Sequence, residues 1–214
     1  MELELKRGGR TARVETLGGE LVSYRDERGL EYIWGGDPAY WPGRNPLLFP
    51  IVGMLKEGKI RFDGREYAME RHGFARRREF TPAARGEDWV RLELRESAET
   101  LALYPYPFRL AVEQRLTDTG FSTAVTVANP GEGPLPFCLG AHTGFRCPLE
   151  AGERFEDYEL VFPERESCPT LLLRDGLLDR PAALPCLEDT DTLPLDYRWF
   201  DALDTLIFEG LRSR

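Results

Sequence analysis

Gly58-Lys59-Ile60-Arg61-Phe62-Asp63-Gly64-Arg65-Glu66-Tyr67-Ala68-Met69 is the stretch whose reading decides the fold class. Ile60 and Phe62 alternate with charge, Asp63-Gly64 interrupts, and Tyr67 and Met69 answer on the far side. A period of two is the mark of a half-buried strand, and a two-residue Asp-Gly link between two such runs predicts a hairpin. Working outward, a second hairpin is expected to join Glu79–Ala84 to Asp88–Glu96 through Arg85-Gly86. A third pairs Phe108–Leu116 with Phe121–Asn129 across Asp118-Thr119-Gly120. Further strands are expected at 10–16, 20–25, 30–34 and 158–163. Only Ser97–Tyr104 reads as a helix, and Leu171–Asp191, with Pro181, Pro185 and several acids, reads as an irregular surface excursion. The expected fold is all-β, a single domain over residues 1–214 with two antiparallel sheets packed face to face.

Composition agrees. The chain has 214 residues, 42% hydrophobic and 30% charged, with 21 Gly and 16 Pro to supply turns. That length buries roughly two thirds of the unfolded surface. No apolar run approaches the roughly 20 residues that span a bilayer, and Met1-Glu2-Leu3-Glu4-Leu5-Lys6 does not read as a signal peptide. Net charge is −9, the wrong sign for a generic binder of nucleic acid or anionic membrane. Cys138, Cys147, Cys168 and Cys186 have no CxxC spacing and are read as reduced thiols of a cytoplasmic protein.

The chain has two histidines in similar surroundings: Arg71-His72-Gly73-Phe74-Ala75-Arg76 and Leu139-Gly140-Ala141-His142-Thr143-Gly144-Phe145. Imidazole exchanges protons near neutral pH, glycine lets backbone approach closely, and the aromatics offer an apolar face. Two readings stand: each histidine is a hydrogen-bonded strand residue, or the two share a site. A metal site is disfavoured, since no ligand motif accompanies them. In Tyr40-Trp41-Pro42-Gly43-Arg44-Asn45-Pro46, a stacking face and fixed donors could grip a sugar, or Trp34 and Trp41 could be core aromatics and Arg44 solvated. Arg76-Arg77-Arg78 is a solvated face or a phosphate holder.

At these segments the sequence resembles the aldose 1-epimerase (galactose mutarotase-like) family, in its LacX-type branch. Glu31-Tyr32-Ile33-Trp34-Gly35-Gly36-Asp37-Pro38-Ala39-Tyr40-Trp41, Asn45-Pro46-Leu47-Leu48-Phe49-Pro50-Ile51-Val52-Gly53 and the two histidine motifs carry the likeness, which runs to Asp204-Thr205-Leu206-Ile207-Phe208. The resemblance implies a large antiparallel β-sandwich with a sugar cleft, and cofactor-free interconversion of the α and β anomers of an aldohexose. It implies His142 as the catalytic acid and His72 as a substrate contact. Arg44 and Asp204 would bind the sugar, and Trp41, Phe74 and Phe145 would wall the pocket.

The family's base is a Glu on strands that follow a segment like Leu206–Arg214. The sequence is therefore expected to carry the acid without that base and to leave a sheet edge open, which a second copy of the chain could cover. Glu209, in a Phe-Glu-Gly turn, is not promoted to the role. Two alternatives to a mutarotase follow: a non-catalytic sugar-binding domain, and a hexose-6-phosphate epimerase relative with phosphate held by Arg71, Arg76 and Arg77.

Overall fold

The structure, a computed structural model, describes residues 1–182, 187–201 and 203–213. Every ladder between its strands is antiparallel, and the fold class is all-β. The chain divides into two compact units, Met1–Arg146 and Cys147–Arg214.

In the first unit β1 (Glu2–Arg7), β2 (Arg10–Glu15) and β3 (Glu20–Arg25) form one sheet in chain order. A short strand β4 (Leu47–Leu48) precedes the hairpin of β5 (Lys59–Phe62) and β6 (Arg65–Ala68). A second sheet contains β7 (Thr81–Arg85) and β8 (Trp89–Arg95), then, after the helix α1 (Ala98–Leu103), β9 (Arg109–Leu116) and β10 (Phe121–Ala128), in the order β10-β9-β8-β7. A last strand, β11 (Gly140–Ala141), pairs with β4.

The alternation read from sequence becomes the core. Leu3 and Leu5, Ala12 and Val14, and Val90, Leu92 and Leu94 are buried, and with Leu110, Val112 and Leu116 they form one cluster between the two sheets. Burying each such aliphatic side chain contributes roughly 1.5–3 kcal/mol. Gln114, only 2% exposed, bridges the layers: its amide donates to the Gly19 carbonyl at 2.9 Å and its oxygen accepts from Thr123.

The turn chemistry holds locally. Asp63 and Gly64 both take left-handed φ, 47° and 80°, as the tight turn between β5 and β6 requires. The β7–β8 link falls later than expected, on Gly86-Glu87-Asp88, where the Gly86 N–H donates to the Trp89 carbonyl. The helix begins at Ser97, whose hydroxyl accepts the Thr100 N–H while the Thr100 hydroxyl accepts that of Ser97.

The strand expected at 30–34 is reduced to two isolated bridges, Arg25↔Glu31 and Ile33↔Phe145. The Glu31 carboxylate explains the reduction, because it accepts the backbone N–H groups of Tyr24 and Ile33. Burial works to raise its pKa, but these bonds, with those from Ser23 and Arg25, hold it below the usual glutamate value.

In the second unit β12 (Glu159–Cys168), β13 (Thr170–Arg174), β14 (Leu177–Ala182), β15 (Leu187–Pro194) and β16 (Ile207–Phe208) form two sheets, β12-β15 and β14-β13-β16. The irregular excursion expected over Leu171–Asp191 is corrected: most of it is strand. Among the described residues β14 pairs on one side only, with β13, the edge position at which a proline such as that at 181 is tolerated in a strand. Glu188 and Asp189 face solvent from β15. Cys138, Cys147 and Cys168 are free thiols, and Cys186 lies outside the described residues. Among the described residues no helix is long and apolar enough to cross a membrane.

Candidate active site

The two histidine segments meet in the first unit. β11 pairs with β4, Gly140 opposite Leu48 and Ala141 opposite Leu47, and the His142 N–H continues the contact by donating to the Pro46 carbonyl at 3.1 Å. The exposed His142 ring packs against Trp41 at 4.7 Å between centroids and stands 6.1 Å from the His72 ring. At that separation one small polar group can touch both imidazoles.

His72 is held more tightly. It takes a left-handed φ of 67°, unusual for a residue with a side chain, and Gly73 follows at 69°. The His72 N–H donates to the Gly53 carbonyl at 2.8 Å, and the Gly53 N–H donates back to Nδ1 at 3.0 Å. An Nδ1 that accepts carries no proton, so the neutral ring bears its hydrogen on Nε2. Burial, and then the charges of Arg76, His142 and Arg71, push the His72 pKa below its ordinary value. His72 is thus a neutral donor through Nε2, locked by the backbone.

Trp41 and Arg44 sit on the long connection between β3 and β4. The Trp41 carbonyl accepts from the Trp34 indole at 2.8 Å. Two glycines seat its ring: a Cβ on either Gly43 or Gly144 would stand 2.7 Å from it. The Gly144 N–H donates to the Arg44 carbonyl at 2.6 Å, tying this connection to the His142 segment. The Arg44 guanidinium lies over Gly36, and its Nε donates to the Gly35 carbonyl at 3.3 Å.

The other expected residues are placed differently from one another. Phe74 is 5% exposed, and its ring packs on Phe49, Tyr104 and Phe108 beneath the His72 turn. Phe145 is 69% exposed and lines a cavity of about 270 Å³ with Tyr32, Asn45 and Thr143. Asp204 belongs to the second unit, exposed just ahead of β16.

Asn45, part of the stretch read as a sugar grip, is joined by two groups not singled out from sequence, Thr143 and Glu20. Asn45 Oδ1 accepts from the Thr143 hydroxyl at 2.6 Å, and Glu20 accepts the N–H groups of both Arg44 and Asn45. Nothing local marks Glu20, an acid at the start of a strand. Arg77 and Arg78 are paired with Glu70 and Glu99. By contrast, among the described residues the side-chain hydrogen bonds of Arg71 and Arg76 go to the Met54 sulfur and the Arg71 carbonyl, and the buried Arg76 Nε has no partner there. Among the described residues no three His, Cys, Asp or Glu side chains gather as a metal-binding set.

Known proteins resemble this chain in sequence and fold. The family model for aldose 1-epimerase matches residues 1–179. The plasmid-encoded protein LacX of Lactococcus lactis is 40% identical over all of this chain and 74% of its own length. A galactose mutarotase related enzyme from Lactobacillus acidophilus superposes with a TM-score of 0.90 at 27% identity, over 100% of this chain and 73% of that one. A galactose mutarotase-like protein from Lactobacillus casei gives 0.80 at 31%, over 91% and 67%. With the family model covering most of the sequence and the two histidine motifs side by side, the chain belongs to the aldose 1-epimerase family.

Proposed function

We propose that the protein interconverts the α and β anomers of an aldohexose, with His142 as the general acid. The observation that carries this reading is the pairing of an exposed imidazole on His142 with a neutral, backbone-locked His72 at 6.1 Å. In this mechanism protonated His142 donates to the ring oxygen while His72 Nε2 donates a hydrogen bond to a sugar oxygen. A carboxylate outside this cluster takes the proton of the C1 hydroxyl. The C1–O5 bond breaks, the C1–C2 bond rotates, and reclosure with the proton transfers reversed delivers the other anomer. Trp41 supplies an apolar wall and Arg44 a fixed set of donors, with Phe145 as a further sugar contact.

Positioned acid and base groups each contribute about 10²–10⁴-fold, an effect readable by anomer-exchange NMR on galactose and glucose. Accelerated exchange that His142→Ala abolishes is the expected result. Sugar binding without accelerated exchange would replace the enzyme reading with a non-catalytic sugar-binding domain, and neither binding nor exchange would refute both.

A phosphorylated aldose is the second reading. It is favoured by Arg71 and Arg76, whose side chains hydrogen-bond to no carboxylate among the described residues although the chain carries net charge −9. Charge-assisted contacts to phosphate are strong. Inorganic phosphate should then compete with sugar binding, and failure to compete removes this reading.

A further inference from the structure

We propose that Glu20 is a positioning residue of this site: its carboxylate fixes the Arg44–Asn45 backbone and, through Asn45 and Thr143, the segment that carries His142. The inference rests on the sugar-site reading above. Glu20 Oε1 accepts the N–H of Arg44 at 2.8 Å and of Asn45 at 2.6 Å. Hydrogen bonds to an ionised acceptor are about twice as strong as neutral ones. Asn45, 9% exposed, passes the restraint on, because its Oδ1 accepts from the Thr143 hydroxyl at 2.6 Å. Thr143 is the residue after His142, whose own N–H is tied to Pro46, the residue after Asn45. One carboxylate thus sets the start of both segments that form the cleft.

The anchor is itself rigid. Glu20 opens β3, directly after Gly18, whose N–H donates to the Arg78 carbonyl, and Gly19, whose carbonyl accepts from Gln114. Sheet stability does not account for an acid here. The register sets Glu20 opposite Glu15, and Glu15 opposite Glu2, so three carboxylates stand abreast. Like charges directly opposite one another destabilise a sheet. The favourable partners are the two amides and, through space, the Arg76 guanidinium.

Glu20→Ala and Glu20→Gln separate the roles, since a Gln amide oxygen can accept both N–H groups but cannot take a proton. The readouts are the Arg44 and Asn45 amide resonances in ¹H–¹⁵N spectra, sugar affinity, the KM-against-kcat split of anomer exchange, and the unfolding midpoint. Glu20→Ala should shift both amide protons upfield, speed their exchange with solvent, weaken sugar binding, and slow anomer exchange by up to about 100-fold, the scale of a 1 Å misplacement. Glu20→Gln should restore the amide positions and bring affinity and KM back to within about threefold of the parent, a loose bound on the same scale.

Unchanged amides and affinity in Glu20→Ala would overturn the proposal. So would equal loss in both variants with the amides intact in Glu20→Gln, because the charge and not the acceptor would then be what matters. If Glu20→Ala does not fold, the amide positions and sugar affinity of Glu20→Gln still decide. If the parent neither binds nor converts sugar, the sugar reading falls, while the amide shifts still report on the anchor.

Discussion

Gly73→Ala should be among the most damaging single-methyl changes in the first unit, and its cost can be assembled from the geometry. Gly73 has φ +69°, and a Cβ there would lie 2.2 Å from the Phe49 carbonyl oxygen and 2.5 Å from its carbon. A left-handed conformation costs an alanine about 1–2 kcal/mol. The clash cannot be relieved cheaply. The Phe49 oxygen accepts from Phe74 at 3.0 Å and Ala75 at 3.2 Å, and the fully buried Phe49 ring packs on Phe74, Tyr104 and Phe108. Weakening those two hydrogen bonds adds about 0.5–1.5 kcal/mol each, for a total of about 2–5 kcal/mol. For a chain of this size that lowers the unfolding midpoint by roughly 4–20 °C.

Thermal unfolding followed by tryptophan fluorescence is a suitable assay, since Trp34, Trp41 and Trp89 all report on the first unit. Two controls divide the effect. Gly64→Ala has φ +80° but no atom within 4 Å, so it should show the conformational cost alone. Gly133→Ala has open space and no left-handed φ, so it should be neutral or slightly stabilising. If Gly73→Ala loses no more than Gly64→Ala, the close approach of Phe49 to Gly73 is not what holds the His72 turn, and the reasoning fails.

Other outcomes follow from the same contacts. Gly144→Ala should displace the Trp41 indole, which a Cβ would approach to 2.7 Å; the readout is loss of the ring-current shift on His142, and an unchanged His142 spectrum would contradict the packing. Gln114→Leu should cost about 1–3 kcal/mol in urea unfolding, because the buried Gly19 carbonyl loses its donor; a neutral effect would mean that water replaces it. The His72 pKa is lowered in the folded state, so between that value and the unfolded value near 6.5 the unfolded chain binds more protons. Stability should therefore fall as pH drops through that window. His72→Asn, which can keep the Gly53 contact and tolerates the left-handed φ, should flatten that part of the profile, and an identical pH dependence in both proteins would refute the assignment.

Some of this protein was legible because the determining interactions are local. The Asp63-Gly64 turn, the Ser97 cap and the alternation of β8, β9 and β10 need only neighbouring residues, and they appear where the sequence places them. The histidine motifs were legible in the same way, since a glycine beside an imidazole marks close backbone approach. Leu171–Asp191 was misread for the opposite reason. Its prolines and acids resemble a loop; β13 and β14 close a local hairpin over Asp175-Gly176, but β13 also pairs with β16 and β15 with β12, partners that lie elsewhere in the sequence. The Glu31 carboxylate likewise replaced a ladder that alternation alone predicted.

The sequence by itself determined an antiparallel β fold, the family, and the two imidazoles as the centre of interest. Those depend on side-chain period, turn chemistry and ordered motifs, all written along the chain. Only the tertiary structure decided that His72 is a neutral Nε2 donor, that Trp41 rests on two glycines, and that Glu20 reaches across to Arg44 and Asn45. Each rests on at least one contact between residues far apart in sequence, and such a partner is fixed by where folding brings two stretches of backbone together.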